Sequence, residues 1–403
     1  THLYGVTYVL DEPSIGLDPA QVEVLQKLLR ELITNGNTVV VIEHDENFIR
    51  AADYLIELGP EAGNLGGKVV FQGKLTDIEA FPDSASYKLI HRKALRTSKK
   101  KQLNANSFGV KGAFANNLKN IDVSFSTASM TALTGVSGSG KTSLIKEVLY
   151  ASWKNKRPVG CTSTFGFEQF EEVLLIDQQA LSGNRLSTPA SYTGILEQIQ
   201  VLFSKTESAK TAGFKKADFS YLSKKGKCPS CAGHSKLKTS MDFMSDIWLH
   251  CDTCKGLRYN QNILSHTYKN LSIGDILQLT VQEALNFFDA PELLKNLQVL
   301  QDVGVGHLQL GQAGNSLSGG EAQRLKLATA LLQKRKGKVL FLFDEPSTGL
   351  HYLDLLKLIS VFEALVENGD TILFIEHNEV LIERADEVLR LGPGSGDNGG
   401  GVV

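Results

Sequence analysis

The chain has 403 residues, 42% of them hydrophobic and 21% charged, with a formal net charge of −2. That length allows roughly two to four domains, and the composition is that of a soluble globular protein, not a collagen-like, low-complexity or disordered one. No stretch reaches the about 18 uninterrupted apolar residues of a membrane helix, which excludes a membrane-embedded protein. The near-neutral charge excludes a wholly basic nucleic-acid coat protein but leaves room for a local basic groove. The first residue is Thr1 and no signal peptide precedes it, so the expectation is a cytoplasmic protein that is part of something longer.

In chain order, the first apolar run leads into Asp11-Glu12 within YVLDEPSIGLDP. Apolar spacing then predicts a helix from Val22 to Leu32 that ends near Gly36, and a second apolar run leads into Glu43-His44. Leu58-Gly59-Pro60 closes this unit. Residues 92–108 open as RKALRTSKKKQLNAN, polar, basic and aperiodic, and read as a linker. Strand-like patterning returns from Gly112 to Phe125 and at Met130–Leu133. Between Ser204 and Asn260 it breaks into a lysine-rich, cysteine-bearing stretch that reads as an inserted module.

The end of the chain repeats its beginning. FLFDEPSTGLHY (Phe341–Tyr352) matches the first run, a helix pattern spans Leu353 to Leu365, and TILFIEHNE matches TVVVIEHDE. Asp11 to Asp344 and His44 to His377 are both 333 positions apart, without a gap. Buried apolar strands alternating with helices predict a parallel α/β sheet.

Several groups of residues carry chemistry. Gly135-Val-Ser137-Gly138-Ser139-Gly140-Lys141-Thr142 fits GxxxxGK[ST], follows an apolar strand and opens a helix at Ser143. Its glycines let backbone N–H groups wrap a phosphate, Lys141 would reach the β/γ-phosphates, and Thr142 would hold Mg²⁺. Asp344 suits the magnesium-side carboxylate, Glu345 the general base for the attacking water, and His377 a position near the γ-phosphate. Asp11, Glu12 and His44 form the corresponding half-site of the first copy. Ser318-Gly319-Gly320, opening a helix, is a second anion-binding N-terminus.

Cys228, Cys231, Cys251 and Cys254 fall as C-x2-C-x19-C-x2-C, the spacing of a closed, structural four-cysteine zinc site. His234 and His250 read as bystanders, and Cys161 as an ordinary small residue. Lys205, Lys210, Lys215, Lys216, Lys224, Lys225, Lys227, Lys236 and Lys238 interleave with Phe214, Phe219, Tyr221, Phe243 and Trp248. That mixture suggests nucleic-acid contact, with a solvated face over a small core as the alternative.

The phosphate loop, LSGGE at Leu317–Glu321, Asp-Glu and the histidine together resemble an ABC-type ATPase. Adding the cysteines between loop and signature, the chain resembles the UvrA family of excinuclease proteins. The motifs run in that family's order over nearly the whole chain: NNLKNIDV, TGVSGSGKTSL, IDQ, PASYTG, CPSCAG, CDTCKGLRYN, DVGVGHLQLGQ, LSGGEAQR and DEPSTGLH.

The resemblance implies an ABC-type P-loop ATPase with a parallel/mixed sheet core, a helical signature subdomain and an inserted zinc module held by four cysteines. Residues 1–91 would be the C-terminal part of a first ABC domain, and 109–403 a second, with the zinc-containing signature region at about 195–330. It implies ATP, Mg²⁺ and Zn²⁺, and makes Gln178 the Q-loop glutamine. The implied function is recognition of damaged double-stranded DNA in nucleotide excision repair. The implied partners are the missing N-terminal half, a second copy of the protein and a UvrB-type protein. Departures at Ala180–Leu186, Ala217–Tyr221, His234 and Asp18 point instead to a UvrA-like paralogue in drug self-resistance. Outside the family, an ABC ATPase with a non-repair role or a zinc-ribbon DNA-binding module without catalysis are the competing readings.

Overall fold

The computed structural model describes residues 4–59, 66–92, 106–179, 181, 185–241, 244–333, 335 and 337–403. Linker residues 93–105, Pro60, Phe243, Ala180 and 182–184 lie outside the described residues. The chain divides into two compact units, one formed by Thr1–Asp177 with Arg335–Val403, the other by Gln178–Lys334.

The first unit is built on a six-stranded sheet in the order Gly401–Val402, Glu387–Gly392, Met130–Gly135, Thr371–Ile375, Val339–Asp344, Glu172–Ile176. All neighbours are parallel except the Gly401–Val402 edge. Val339–Phe343 and Thr371–Ile375 are buried at every position. Such runs have no polar face to offer solvent, which is why they sit in a parallel sheet covered on both sides. Leu133, Leu340, Leu342 and Leu373 share one core with Leu144 and Val148 of the helical segment Ser143–Tyr150. A three-stranded antiparallel sheet, Ile121–Ser126, Ser107–Ala113 and Cys161–Phe165, joins that core through Phe108 and Phe125. Its first strand begins at Ser107, inside the expected linker, because Phe108 is fully buried there.

The strands of the first repeat, Thr7–Asp11 and Thr38–Ile42, also pair in parallel. Their register equals that of the second repeat: Asp11 faces Ile42 as Asp344 faces Ile375. The intervening helices span Pro19–Thr34 and Tyr352–Glu367, a turn longer than the apolar spacing alone marks. Asp18 caps the former with a capping box to Gln21. Val22, Leu29 and Phe48 make a small core of their own.

The second unit is mainly helical, with Ile195–Ser204, Val281–Phe287, Pro291–Asp302 and Gly319–Leu332 as its longer helices. An antiparallel hairpin, Lys236–Met241 with Met244–His250, separates the two cysteine pairs. No helix among the described residues is long and apolar enough to cross a membrane.

Here the interleaved lysines and aromatics part company. Most of the named lysines are exposed, whereas Phe219 and Tyr221 are fully buried. Phe219 packs on Phe203, Phe214 and His266, and Tyr221 packs on Tyr259. Those two rings are core, so they are corrected from the expected nucleic-acid contact. Their large apolar area is worth more inside a small helical unit than at its surface. Trp248 is half-buried, with the Arg185 guanidinium 4.0 Å from its ring.

Candidate functional site

The Met130–Gly135 strand delivers its chain to a loop that only glycine permits. Gly135 has φ +140°, and a Cβ there would lie 2.1 Å from the Leu391 carbonyl oxygen. Lys141 Nζ folds back onto the carbonyls of Gly135 and Val136 at 2.8 and 2.9 Å. Ser137 and Gly138 stand exposed, Thr142 is exposed at the head of the helix, and Ser143 Oγ accepts from Asn116. Burial pulls the Lys141 ammonium below its ordinary pKa, while Glu345, Asp18 and Asp344 oppose that shift. The ammonium is therefore held by its own loop, close to three carboxylates. A phosphate group fits this arrangement: it would exchange two neutral carbonyl partners for an anion.

Asp344 ends the strand two places along the sheet from the loop strand, and Glu345 follows it in a left-handed conformation at φ +50°. Glu12 does the same in the first copy, at φ +44°. A non-glycine residue rarely sits there, and it persists only where surroundings impose it. In both copies the imposed contact is a hydrogen bond continuing the strand, Glu345 N–H to Ile375 O and Glu12 N–H to Ile42 O, at 3.0 and 2.9 Å. The turn aims the glutamate toward its histidine: Glu345 lies 3.9 Å from His377 and Glu12 lies 3.5 Å from His44. Burial, with the charges of Glu376 and Asp344, raises the Glu345 carboxyl. A raised carboxyl is a stronger base, as abstraction of a water proton requires. Burial and then Lys141 press His377 down to about 4, against a smaller opposing pull from Asp18, so its ring is neutral at physiological pH.

Several residues that sequence patterns alone do not single out hold this site. Glu376 is buried and accepts the N–H groups of Ser347, His377 and Asn378 at 2.8, 2.8 and 2.9 Å. Glu43 accepts those of Ser14, His44 and Asp45 in the same way. Each ties the loop after Asp-Glu to the loop carrying the histidine. The signal was available, since Glu precedes His in both copies at the same offset. Lys146, one turn along the helix from Thr142, sits 2.8 Å from Asp344 and 3.8 Å from Asp177. Asp18 accepts the Ser137 N–H at 3.4 Å, which carries the first copy to the second copy's phosphate loop. The equivalent residue, His351, meets His44 edge-on at 5.9 Å. Arg92, at the start of the expected linker, pairs with Glu46 of the first copy and with Glu379 and Glu383 of the second.

Gln178 and the signature belong to the second unit. Ser318 is the N-cap of the Gly319–Leu332 helix, and Glu321 completes a capping box with it. His307 bonds Glu321 at 2.9 Å; burial is outweighed by that bond and by the Ser318 N–H, so Glu321 stays below its ordinary pKa. A Cβ on Gly319 would meet Gln178 at 3.2 Å, so the first signature glycine packs directly on the glutamine. Gly320 follows it, buried in the first turn.

The four cysteines converge, fully buried, with all sulfurs within 4.8 Å of one another. Cys228 and Cys251 are 3.9 Å apart, and Cys231 and Cys254 3.6 Å. A tetrahedron with Zn–S near 2.3 Å has an edge of about 3.8 Å, while a disulfide needs about 2.05 Å. The donor set fits zinc and does not fit disulfides. Burial resists ionisation of Cys251, but N–H groups of Cys254 and Thr253 overcome it and bring the thiol down to about 7. His234 and His250 stand outside the group, and Cys161 is buried beside Ser152.

A family model described as ABC transporter matches residues 118–348, from ahead of the phosphate loop to just past Asp344-Glu345. The chain belongs to that family. Across its whole length it is also 42% identical, over 412 residues, to a UvrABC system protein A of Clostridium perfringens. It is 42% identical over 414 residues to the protein of the same name from Staphylococcus epidermidis. In both cases the match covers 100% of this chain and 44% of the relative, so the chain spans less than half the length of these curated relatives. The crystal structure of UvrA2 from Deinococcus radiodurans superposes with a TM-score of 0.91 at 38% identity, covering 100% of this chain and 50% of that one. These matches bear out the resemblance to the UvrA family and the ABC ATPase fold.

Proposed function

We propose that this chain is the C-terminal half of a UvrA-type protein, which binds and hydrolyses ATP to regulate its hold on damaged double-stranded DNA in nucleotide excision repair in the cytoplasm. The observation that carries the reading is the four-cysteine cluster lying, in one chain, between a GxxxxGKT loop and an LSGGE helix. Residues 1–91 are then the end of a first ATPase domain, 92–108 a linker, and 109–403 a second domain with its zinc-containing signature region at about 195–330.

In the second domain, Gly135–Ser143 would cradle the phosphates, with Lys141 released from its loop carbonyls onto the β/γ oxygens. Thr142 and Asp344 would hold Mg²⁺, which neutralises charge on the transferred phosphoryl group. Lys146, paired with Asp344, would compete with Mg²⁺ for that carboxylate. Glu345 takes the proton of the attacking water, and neutral His377 donates to the γ-phosphate. Gln178 relates the nucleotide to the signature helix it touches, and zinc on Cys228, Cys231, Cys251 and Cys254 would staple the module that offers exposed lysines to DNA.

Ser318–Gly320 would complete the site of the first domain, beside Asp11, Glu12 and His44. Each composite site therefore needs a segment that this chain does not contain: the remaining half of the protein, or a second copy in a homodimer. A UvrB-type protein is a further proposed partner. A second reading, a UvrA-like paralogue serving drug self-resistance, is favoured by Ala217–Tyr221. The motif of the family that the chain resembles departs there to Ala217-Asp218-Phe219-Ser220-Tyr221.

The test is binding of damaged and undamaged duplex by the complete protein, with and without ATP. Tighter, ATP-dependent binding of the damaged duplex is expected, and equal affinity in all four conditions would remove the damage-sensor reading.

A further inference from the structure

Arg258 is the largest fully buried side chain described in the protein, at 2% exposure. It stands four residues after Cys254, with a left-handed backbone at φ +70°. An arginine keeps its charge, so burying it is costly unless every donor finds an acceptor. Its guanidinium is spent on backbone carbonyls from three separate segments. Nη1 donates to Gly233 O at 2.8 Å and to Arg185 O at 3.3 Å, and Nη2 donates to Gly311 O at 2.9 Å. The Tyr221 ring lies 5.1 Å from the guanidinium carbon. The Tyr221 hydroxyl reaches Leu186 O at 2.8 Å, on the same loop as Arg185.

Each of the three carbonyls stands for a working part. Gly233 is in the turn of the first cysteine pair. Arg185 lies seven residues after Gln178, and Gly311 lies seven residues before Ser318. Those last two segments also meet each other, through Gly314 N–H to Ser187 O at 2.8 Å. On its own backbone Arg258 accepts the Cys228 N–H at 2.8 Å, which fixes its Cα against the cysteine cluster. A planar fork with rigid donor directions can hold three carbonyls at once, whereas an apolar residue of that size would leave all three without this donor, the buried Gly233 carbonyl at the greatest cost.

We propose that Arg258 is the positioning residue through which the zinc module governs two segments of its own unit, 185–188, downstream of Gln178, and 309–318, which leads into the signature helix. It fastens the cysteine turn to both, so displacement of the module is carried to the signature helix and, through Gly319, to the Gln178 packed on it. The inference rests on the reading of this unit as a DNA-responsive part of an ATPase, but one arm of its test does not depend on DNA or on turnover.

In the complete protein, Arg258→Met and Arg258→Lys are compared with the natural chain for zinc per chain, amide exchange over 185–188 and 309–318, and the ratio of ATP turnover with and without DNA. The clamp predicts that Arg258→Met keeps its zinc, exchanges at least tenfold faster in both segments, and brings the DNA ratio close to one. Removing zinc with a chelator from the natural protein should loosen the same two segments. If Arg258→Met retains zinc with natural exchange rates in both segments, the proposal is overturned. If Arg258→Met loses zinc, Arg258→Lys decides: full zinc with faster exchange supports the clamp, and full zinc with natural exchange overturns it. Zinc lost from both variants also overturns it, because Arg258 would then belong to the metal fold alone. A natural protein whose turnover ignores DNA would count against the functional reading, while the exchange measurements would still decide the clamp.

Discussion

The two copies of the Asp-Glu…Glu-His unit have the same register and nearly the same sequence, yet opposite surroundings. Val9, Val40 and Ile42 are 66%, 46% and 50% exposed, whereas the residues 333 positions on, Leu342, Leu373 and Ile375, are 0%, 0% and 1% exposed. The difference comes from neighbours. Strands Met130–Gly135 and Glu172–Ile176 flank the second copy, while the first copy's two strands pair only with each other among the described residues. The chemistry-bearing turn is indifferent to this. Glu12 and Glu345 adopt the same strained conformation, and Glu43 and Glu376 make the same three braces. The geometry of the Glu-His pair is therefore set locally, by strand end, turn and brace, and the rest of the domain supplies stability and the phosphate loop.

The largest expected effect separates the copies by burial. Leu342→Ala removes a fully buried side chain and should cost about 2–5 kcal/mol in urea unfolding. Val9→Ala, at the equivalent position, should stay within about 0.5 kcal/mol. If the proposed remaining half covers the first copy, the cost of Val9→Ala in the complete protein should rise toward that of Leu342→Ala. Equal costs in the chain alone would break the comparison.

A smaller effect concerns protonation. Burial and Lys141 hold His377 at about 4 in the folded protein, below its ordinary 6.5. A histidine depressed in the folded state gives its full stability above the unfolded value. That stability is lost as pH falls from about 6.5 toward 4, because the unfolded chain takes up the proton first. In carbon-labelled histidine spectra, His377 should not titrate between pH 5.5 and 8. A midpoint near 6.5 would contradict the partly buried, neutral ring.

The parts most legible in the sequence were those written twice or at fixed spacing. The 333-residue offset marked one strand–helix–strand unit written twice, which the structure pairs in the same register, and C-x2-C-x19-C-x2-C brought four sulfurs together. Less legible were residues whose role depends on which way a side chain turns. Nothing in KGLRYN says that Arg258 points inward at three carbonyls from distant segments. Phe219 and Tyr221 stand among lysines in sequence but belong to the core, because a short 3-10 turn and a loop carry no periodicity to reveal the buried face. Glu43 and Glu376 were visible as a repeat, but their bracing of two loops exists only once the strands lie side by side.

The central proposal is that this chain carries one complete phosphate loop and the halves of two composite sites. The most direct measurement is ATP binding and turnover by the chain alone, across a wide range of protein concentration and with the remaining half added. The account predicts one nucleotide bound per chain, lost in Lys141→Ala, with turnover that is slow until the added half or a second copy supplies the missing segments. Rapid turnover that is independent of concentration and unchanged by the added half would contradict it.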